Sequence, residues 1–184
     1  MIQKLSPNQG SRDGNPIKYI CIHIMDGTLT GTDAHFADPY SQVSANYGVG
    51  LNGEIHQYVS DDKMAWANGG VKNPTARIVK ENSAVNQNKI SLSIECEGND
   101  LANAPESQLT ILISLIKELA IKYSISLDRE HIIGHREITT NKPNCPSSTN
   151  LPLDKMVQRC QGGNVAKQLI QEIEERVSKL KSII

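Results

Sequence analysis

The chain has 184 residues, 19 basic against 20 acidic side chains, a formal net charge of −1 and 38% hydrophobic residues. That length suits one domain with a core of its own, needing no disulfide framework. The charge balance excludes a strongly basic nucleic-acid binder and an acidic disordered chain, and 4% aromatics, with one Phe and one Trp, exclude a base-stacking platform.

Residues 1–16 are polar and turn-rich and read as an irregular arm. They contain no apolar h-region, so no secretory signal is expected, and no stretch of the chain approaches the ~20 apolar residues of a membrane span. Ile17–Met25 is a short, β-branched apolar run, a buried strand. The polar stretch after it reads as loop. Val43–Val49 and Glu54–Val59 flank Asn52-Gly53, a strong hairpin signal. Residues 60–89 read as a long connection with a little helix, carrying Trp66 and Gly69-Gly70. Lys89–Glu97 alternates and is a further strand. Asn103 is the expected cap of a helix running to about Tyr123, with Leu109, Leu112, Ile113, Ile116, Leu119 and Ala120 at helical spacing. Ile132–Gly134 is a brief apolar segment leading into His135, and 136–152 is loop. Beyond Gly162-Gly163, Ala166, Ile170, Ile173, Val177, Leu180 and Ile184 form a heptad seam on a terminal helix. The expected class is mixed α/β: a central mixed sheet flanked by helices. The expected division is a domain over 1–160 and an amphipathic helix or linker over 161–184. That helix could dock on the domain, self-associate or lead to a second domain.

Three positions carry the strongest chemistry. His23 ends an apolar strand, His135 opens a loop, and Cys145 lies ten residues later in Pro-Asn-Cys-Pro. Imidazole nitrogen and thiolate both suit zinc, and three protein ligands leave one position open, which is the catalytic pattern. Taken singly, each residue also has an ordinary structural reading. A nucleophilic Cys145 with His135 as base is another use of the pair, though it leaves His23 without a role. Glu95 shares a strand face with Ser91, Ser93 and Glu97, which from spacing reads as solvated; the alternative is a carboxylate beside the metal acting as a base. Lys142 is a solvated loop lysine or a fixed cation facing a developing oxyanion. Tyr47 lies on the hairpin, as does His56, which of His35, His56 and His131 is the one expected to approach a cleft. Cys21, Cys96 and Cys160 read as free and structural.

Several stretches in order resemble one family, the zinc-dependent N-acetylmuramoyl-L-alanine amidases of the phage-lysozyme and peptidoglycan-recognition type. They are Ile22-His23, Val43–Tyr47 with Asn52–Ile55, Ala65-Trp66, Ser93–Gly98, Gly134–Ile138 and Cys145-Pro146. The resemblance implies zinc held by His23, His135 and Cys145 in a cleft on one face of the sheet. It implies Glu95 as general base, with Lys142 steadying the oxyanion. It implies cleavage of the amide between N-acetylmuramic acid and the L-alanine of the stem peptide, with bacterial peptidoglycan as partner and neither nucleic acid nor membrane. Trp66, Tyr47 and Asn46 are the expected substrate contacts. The chain departs from many members at Asn46, where histidine is common, at Ala45, where a tyrosine falls in register, and at Pro143, with Lys142 one residue further from Cys145. A non-catalytic recognition module on the same fold is the alternative. A phage endolysin would move from the host cytoplasm to the cell wall without a signal peptide.

Overall fold

The computed structural model describes residues 1–162. In chain order the elements are β1 (Ile2–Gln3), β2 (Gln9–Ser11), β3 (Tyr19–Ile24), α1 (Leu29–Ala37), β4 (Tyr47–Val49), β5 (Ile55–Gln57), β6 (Lys63–Ala65), α2 (Arg77–Glu81), α3 (Gln87–Ile90), β7 (Ser91–Cys96), α4 (Glu106–Tyr123), β8 (Ile132–Gly134) and α5 (153–162). Six strands make one sheet in the order β1-β5-β4-β7-β3-β8. Only β4 and β5 pair antiparallel, so the sheet is mixed but mostly parallel. Strands β2 and β6 form a small second sheet.

The central strands are buried on both faces, as parallel strands between helical layers must be. One face carries Ile20, Ile22, Tyr47, Val49, Leu92, Ile94 and Ile132 against α4 and α5. The other carries Tyr19, Cys21 and Ile133 against Ile78, Val79 and Ile90 from α2 and α3. The helical spacing of α4 does what it predicts. Leu112, Ile113, Leu115, Ile116, Leu119 and Ala120 are buried, and each large side chain among them is worth about 1.5–3 kcal/mol of burial. Gln108 stitches this helix to the sheet, its Nε2 donating to the carbonyls of Val49 and Glu97 at 2.9 and 3.0 Å. At the hairpin turn Gly53 has φ +86°, and a Cβ there would lie 2.8 Å from Ile111 of α4, so only glycine lets helix and turn meet this closely.

Several expectations need correction. The arm of residues 1–16 is not irregular, since β1 adds to the edge of the main sheet beside β5, and β2 pairs with β6. The stretch after β3 contains α1, capped by the Thr28 hydroxyl, which accepts the Gly31 N–H. Periodicity missed it because only Leu29 and Phe36 of this helix are buried. Pro105 rather than Asn103 occupies the cap position of α4, and no side chain caps it. Residues 153–162 are helical, with Leu153, Met156, Val157 and Cys160 in the core. The face of β7 holding Ser91 and Ser93 is not solvated, because both serines are buried, Ser91 beneath Asn68 of the loop that precedes α2 and against Gln87 of α3. The heptad seam from Ala166 to Ile184 lies outside the described residues.

A buried guanidinium ties the arm down. Arg12 donates through Nε to the Asp61 carbonyl at 2.7 Å, and through its terminal nitrogens to the carbonyls of Asn88, Lys89 and Ser91. Burial pushes its pKa down, opposed by Asp61. Four of its five N–H donors meet backbone acceptors, which is what makes a buried cation tolerable. Arg12→Met is expected to leave those acceptors orphaned and to lower stability by about 3 kcal/mol, read as a shift in the urea midpoint without a change in slope.

Candidate metal centre and cleft

Strand register builds the site. Across β7 and β3, Glu95 lies opposite His23, and across β3 and β8, Gly134 lies opposite Ile22. The residue after Gly134 is His135, which therefore arrives beside His23, their ring centroids 4.5 Å apart. All three are at the carboxyl ends of parallel strands, where open α/β sheets place ligands. Cys145 returns to the sheet through successive turns. Thr139 N–H donates to His135 O, Lys142 N–H to Thr139 O and Cys145 N–H to Lys142 O, and Arg136 N–H donates to Cys145 O at 2.8 Å. Cys145 Sγ then lies 4.0 Å from His23 Nδ1 and accepts the Ile24 N–H at 3.4 Å.

The ligand atoms of His23, His135 and Cys145 all lie within 4.8 Å of one another. Two imidazole nitrogens and a thiolate gathered at this spacing are a donor set that suits zinc. Burial pushes the pKa of His23 well down, reinforced by His135, and that of His135 down. Both imidazoles are thus neutral, the form that ligates. Burial pushes the Cys145 thiol up to about 12, reinforced by Glu95. A thiol held that high is a poor nucleophile, against the Cys145–His135 hydrolase reading, whereas a bound cation would favour its thiolate. The residues present fit zinc.

Glu95 Oε1 is 3.8 Å from His23 Nδ1, and its Oε2 is buried without a hydrogen-bond partner. Burial lifts this carboxyl to about 7, and Lys142 pulls it back. Lys142 lines the same cleft as His23, Glu95, His135 and Cys145, so the turns after His135 bring this lysine to the site. These groups open into a cleft of about 520 Å³, also lined by Trp66, Asn68 and the α1 residues Thr32, His35 and Phe36.

Two expected substrate contacts are elsewhere. Tyr47 pairs with Ile94, one step before Glu95, so it faces the α4 side of the sheet. It is 4% exposed, and its hydroxyl donates to Asp61 Oδ1 at 2.6 Å. Asn46 is fully buried and structural, with Oδ1 accepting the Ser93 N–H and Nδ2 donating to the Val59 carbonyl. His56 is enclosed between Asp33 and Glu54, each at 2.7 Å, and His35 reaches the cleft in its place. His131 pairs with Asp128. Sequence reasoning also missed Asn68, whose place before Gly69-Gly70 reads only as a turn. Its carbonyl oxygen meets His135 Nε2 at 2.9 Å, and its side chain favours a proton on His23.

The family model for N-acetylmuramoyl-L-alanine amidase matches residues 13–148. The 1,6-anhydro-N-acetylmuramyl-L-alanine amidase AmpD of Salmonella typhimurium is 34% identical over 128 residues, 66% of this chain and 63% of that protein. The match thus spans under two thirds of the curated relative. Among solved structures, a selenomethionine derivative of AmpD superposes with a TM-score of 0.63 at 26% identity, covering 79% of this chain and 88% of the other. A mutant endolysin from Bacillus subtilis shares the fold, with a TM-score of 0.59 at 22% identity over 79% of this chain and 88% of that one.

Zinc titration is expected to saturate at one ion per chain, and Cys145→Ser to weaken binding by at least ~10-fold, measured by competition with a chromophoric chelator. Tyr47→Phe is expected to cost about 1 kcal/mol of stability and leave zinc binding unchanged, which separates its structural hydroxyl from the cleft.

Proposed function

Because this chain belongs to the N-acetylmuramoyl-L-alanine amidase family, we propose that it is a zinc-dependent peptidoglycan hydrolase cleaving the amide between the lactyl group of N-acetylmuramic acid and the L-alanine of the stem peptide. The observation that carries this reading is the convergence of His23, His135 and Cys145 at the floor of a cleft with Glu95 alongside.

His23, His135 and Cys145 would hold the zinc, which when bound supplies Lewis acidity to polarise a carbonyl and to activate water at neutral pH. Glu95 has the place and the environment of a general base. It faces the ligand set, one oxygen has no protein partner, and burial poises it near neutrality, so it can accept a proton from water and return it to the leaving amine. Lys142 supplies positive charge where the scissile carbonyl oxygen becomes an oxyanion. Trp66 and the neighbouring loop form a wall for the stem peptide or sugar. The recognition-only alternative would use the cleft without hydrolysis. The complete ligand set together with a carboxylate beside it favours the enzyme.

The curated relatives are named for a 1,6-anhydro substrate, and one structural neighbour is an endolysin. Both soluble anhydromuropeptide and intact sacculi therefore belong in the assay. Turnover of sacculi would support a lytic role in which the chain reaches the wall from the host cytoplasm, and turnover confined to fragments a recycling role. Release of peptides with a free L-alanine amine, followed by mass spectrometry, is expected from wild type and abolished by chelator. Glu95→Gln is expected to retain zinc and lose ~10²–10⁴-fold in turnover, and near-full activity would overturn the base assignment. Lys142→Ala is expected to lower kcat by ~10²–10³-fold with zinc content unchanged.

A further inference from the structure

We propose that Asn68 is a positioning residue for both histidine ligands, its backbone and side-chain carbonyl oxygens each accepting an imidazole Nε2–H so that both rings turn Nδ1 to the metal. The inference deepens the zinc reading above and rests on it.

The backbone half is formed in the structure. A carbonyl oxygen can only accept, so His135 Nε2, 2.9 Å from Asn68 O, must carry the proton, which leaves Nδ1 as the free lone pair. The side-chain half follows from two orphans. His23 Nε2 and Asn68 Oδ1 are both buried with no hydrogen-bond partner, and both residues line the same cleft. His23 Nδ1 is already on the ligand side of the ring, facing Cys145 Sγ and Glu95. Once Nδ1 is a ligand, the proton of this neutral ring sits on Nε2 and needs an acceptor. Of the two unpartnered acceptors nearby, the Glu95 carboxylate lies on the Nδ1 side of the ring, so Asn68 Oδ1, whose side chain already interacts with His23, is the acceptor left for Nε2.

The amide orientation is fixed independently. Ser91 Oγ spends its hydrogen on the Gln87 carbonyl at 2.8 Å, so it can only accept from Asn68, which identifies the atom 2.9 Å away as Nδ2 and turns Oδ1 the other way. The backbone is held too, because the Asn68 N–H donates to Asn88 Oδ1 at 2.8 Å. Asn68 is fully buried, held at three points, and presents its two carbonyl oxygens to two ligand rings. Outer partners of this kind fix ring tautomer and orientation, and their loss costs ~10–100-fold in metal affinity.

The test uses the full chain, zinc and no substrate. Two-bond nitrogen–proton correlations on histidine-labelled, zinc-loaded wild type are expected to place the proton of both His23 and His135 on Nε2. Asn68→Ala is expected to bind zinc ~10–100-fold more weakly and to lose the slowly exchanging His23 Nε2–H signal while keeping that of His135, whose acceptor is backbone. Asn68→Asp, which restores the acceptor, is expected to recover most of the affinity. A proton on Nδ1 of either ring, or Asn68→Ala binding zinc as tightly as wild type, would overturn the inference. Should Asn68→Ala fail to fold, the wild-type tautomers and Asn68→Asp decide it. Wild type that binds no zinc would instead remove the reading on which the inference stands, whereas zinc binding insensitive to position 68 would sink the inference alone.

Discussion

The site depends on one constraint, the register of three adjacent parallel strands. With His23 opposite Glu95 and Ile22 opposite Gly134, the next step along each strand places Glu95, His23 and His135 side by side at one end of the sheet. Side chains alternate between faces along a strand, so a slip of one residue in β7 or β8 would send its contribution to the opposite face. The register is held from both sides. Ile20, Ile22, Leu92, Ile94 and Ile132 sit in one core, and Tyr19, Cys21 and Ile133 in the other. Chemistry at the strand ends is thus positioned by apolar burial several residues away.

That constraint also explains how much could be read from the sequence. The strands carrying His23 and Glu95, the hairpin around Asn52-Gly53 and the long helix α4 were legible, because each has a hydrophobic period or a turn residue with a mechanism. The ligand set His23, His135 and Cys145 was legible as a list of residue types, and its convergence is a property of strand order, which no local pattern contains. Glu95 shows the difference. Alternation correctly put it on the face shared with Ser91 and Ser93, yet that face reads as solvated until α3 and the Asn68 loop are seen to cover it. Tyr47 failed in the opposite direction, since its place on the hairpin suggested the cleft and register sends it to the α4 side, onto Asp61.

What stayed illegible was polar and irregular. Helix α1, which lines the cleft, buries too few side chains to show a period and is held by its Thr28 cap and by Glu97, whose Oε1 accepts the Leu29 N–H. Arg12 looks like any surface arginine until four backbone carbonyls are found around it. Asn68 looks like a turn residue. In each case the partners lie far away in sequence, and a single residue carries several hydrogen bonds whose value comes from burial. Such groups leave no periodic trace.

Cys145 differs from the two histidines in how it reaches the site. The histidines stand on or directly after sheet strands, but the sulfur comes back on a run of turns, and Lys142 rides on the same run. An ion joining Sγ to two imidazoles would therefore also be a cross-link, closing the 135–145 loop onto the sheet. Loop order and the placement of the lysine charge then become linked functions of metal occupancy, because whatever binds only the closed form stabilises that form by mass action. Metal supply would set how many molecules are competent, as well as what chemistry each one can perform.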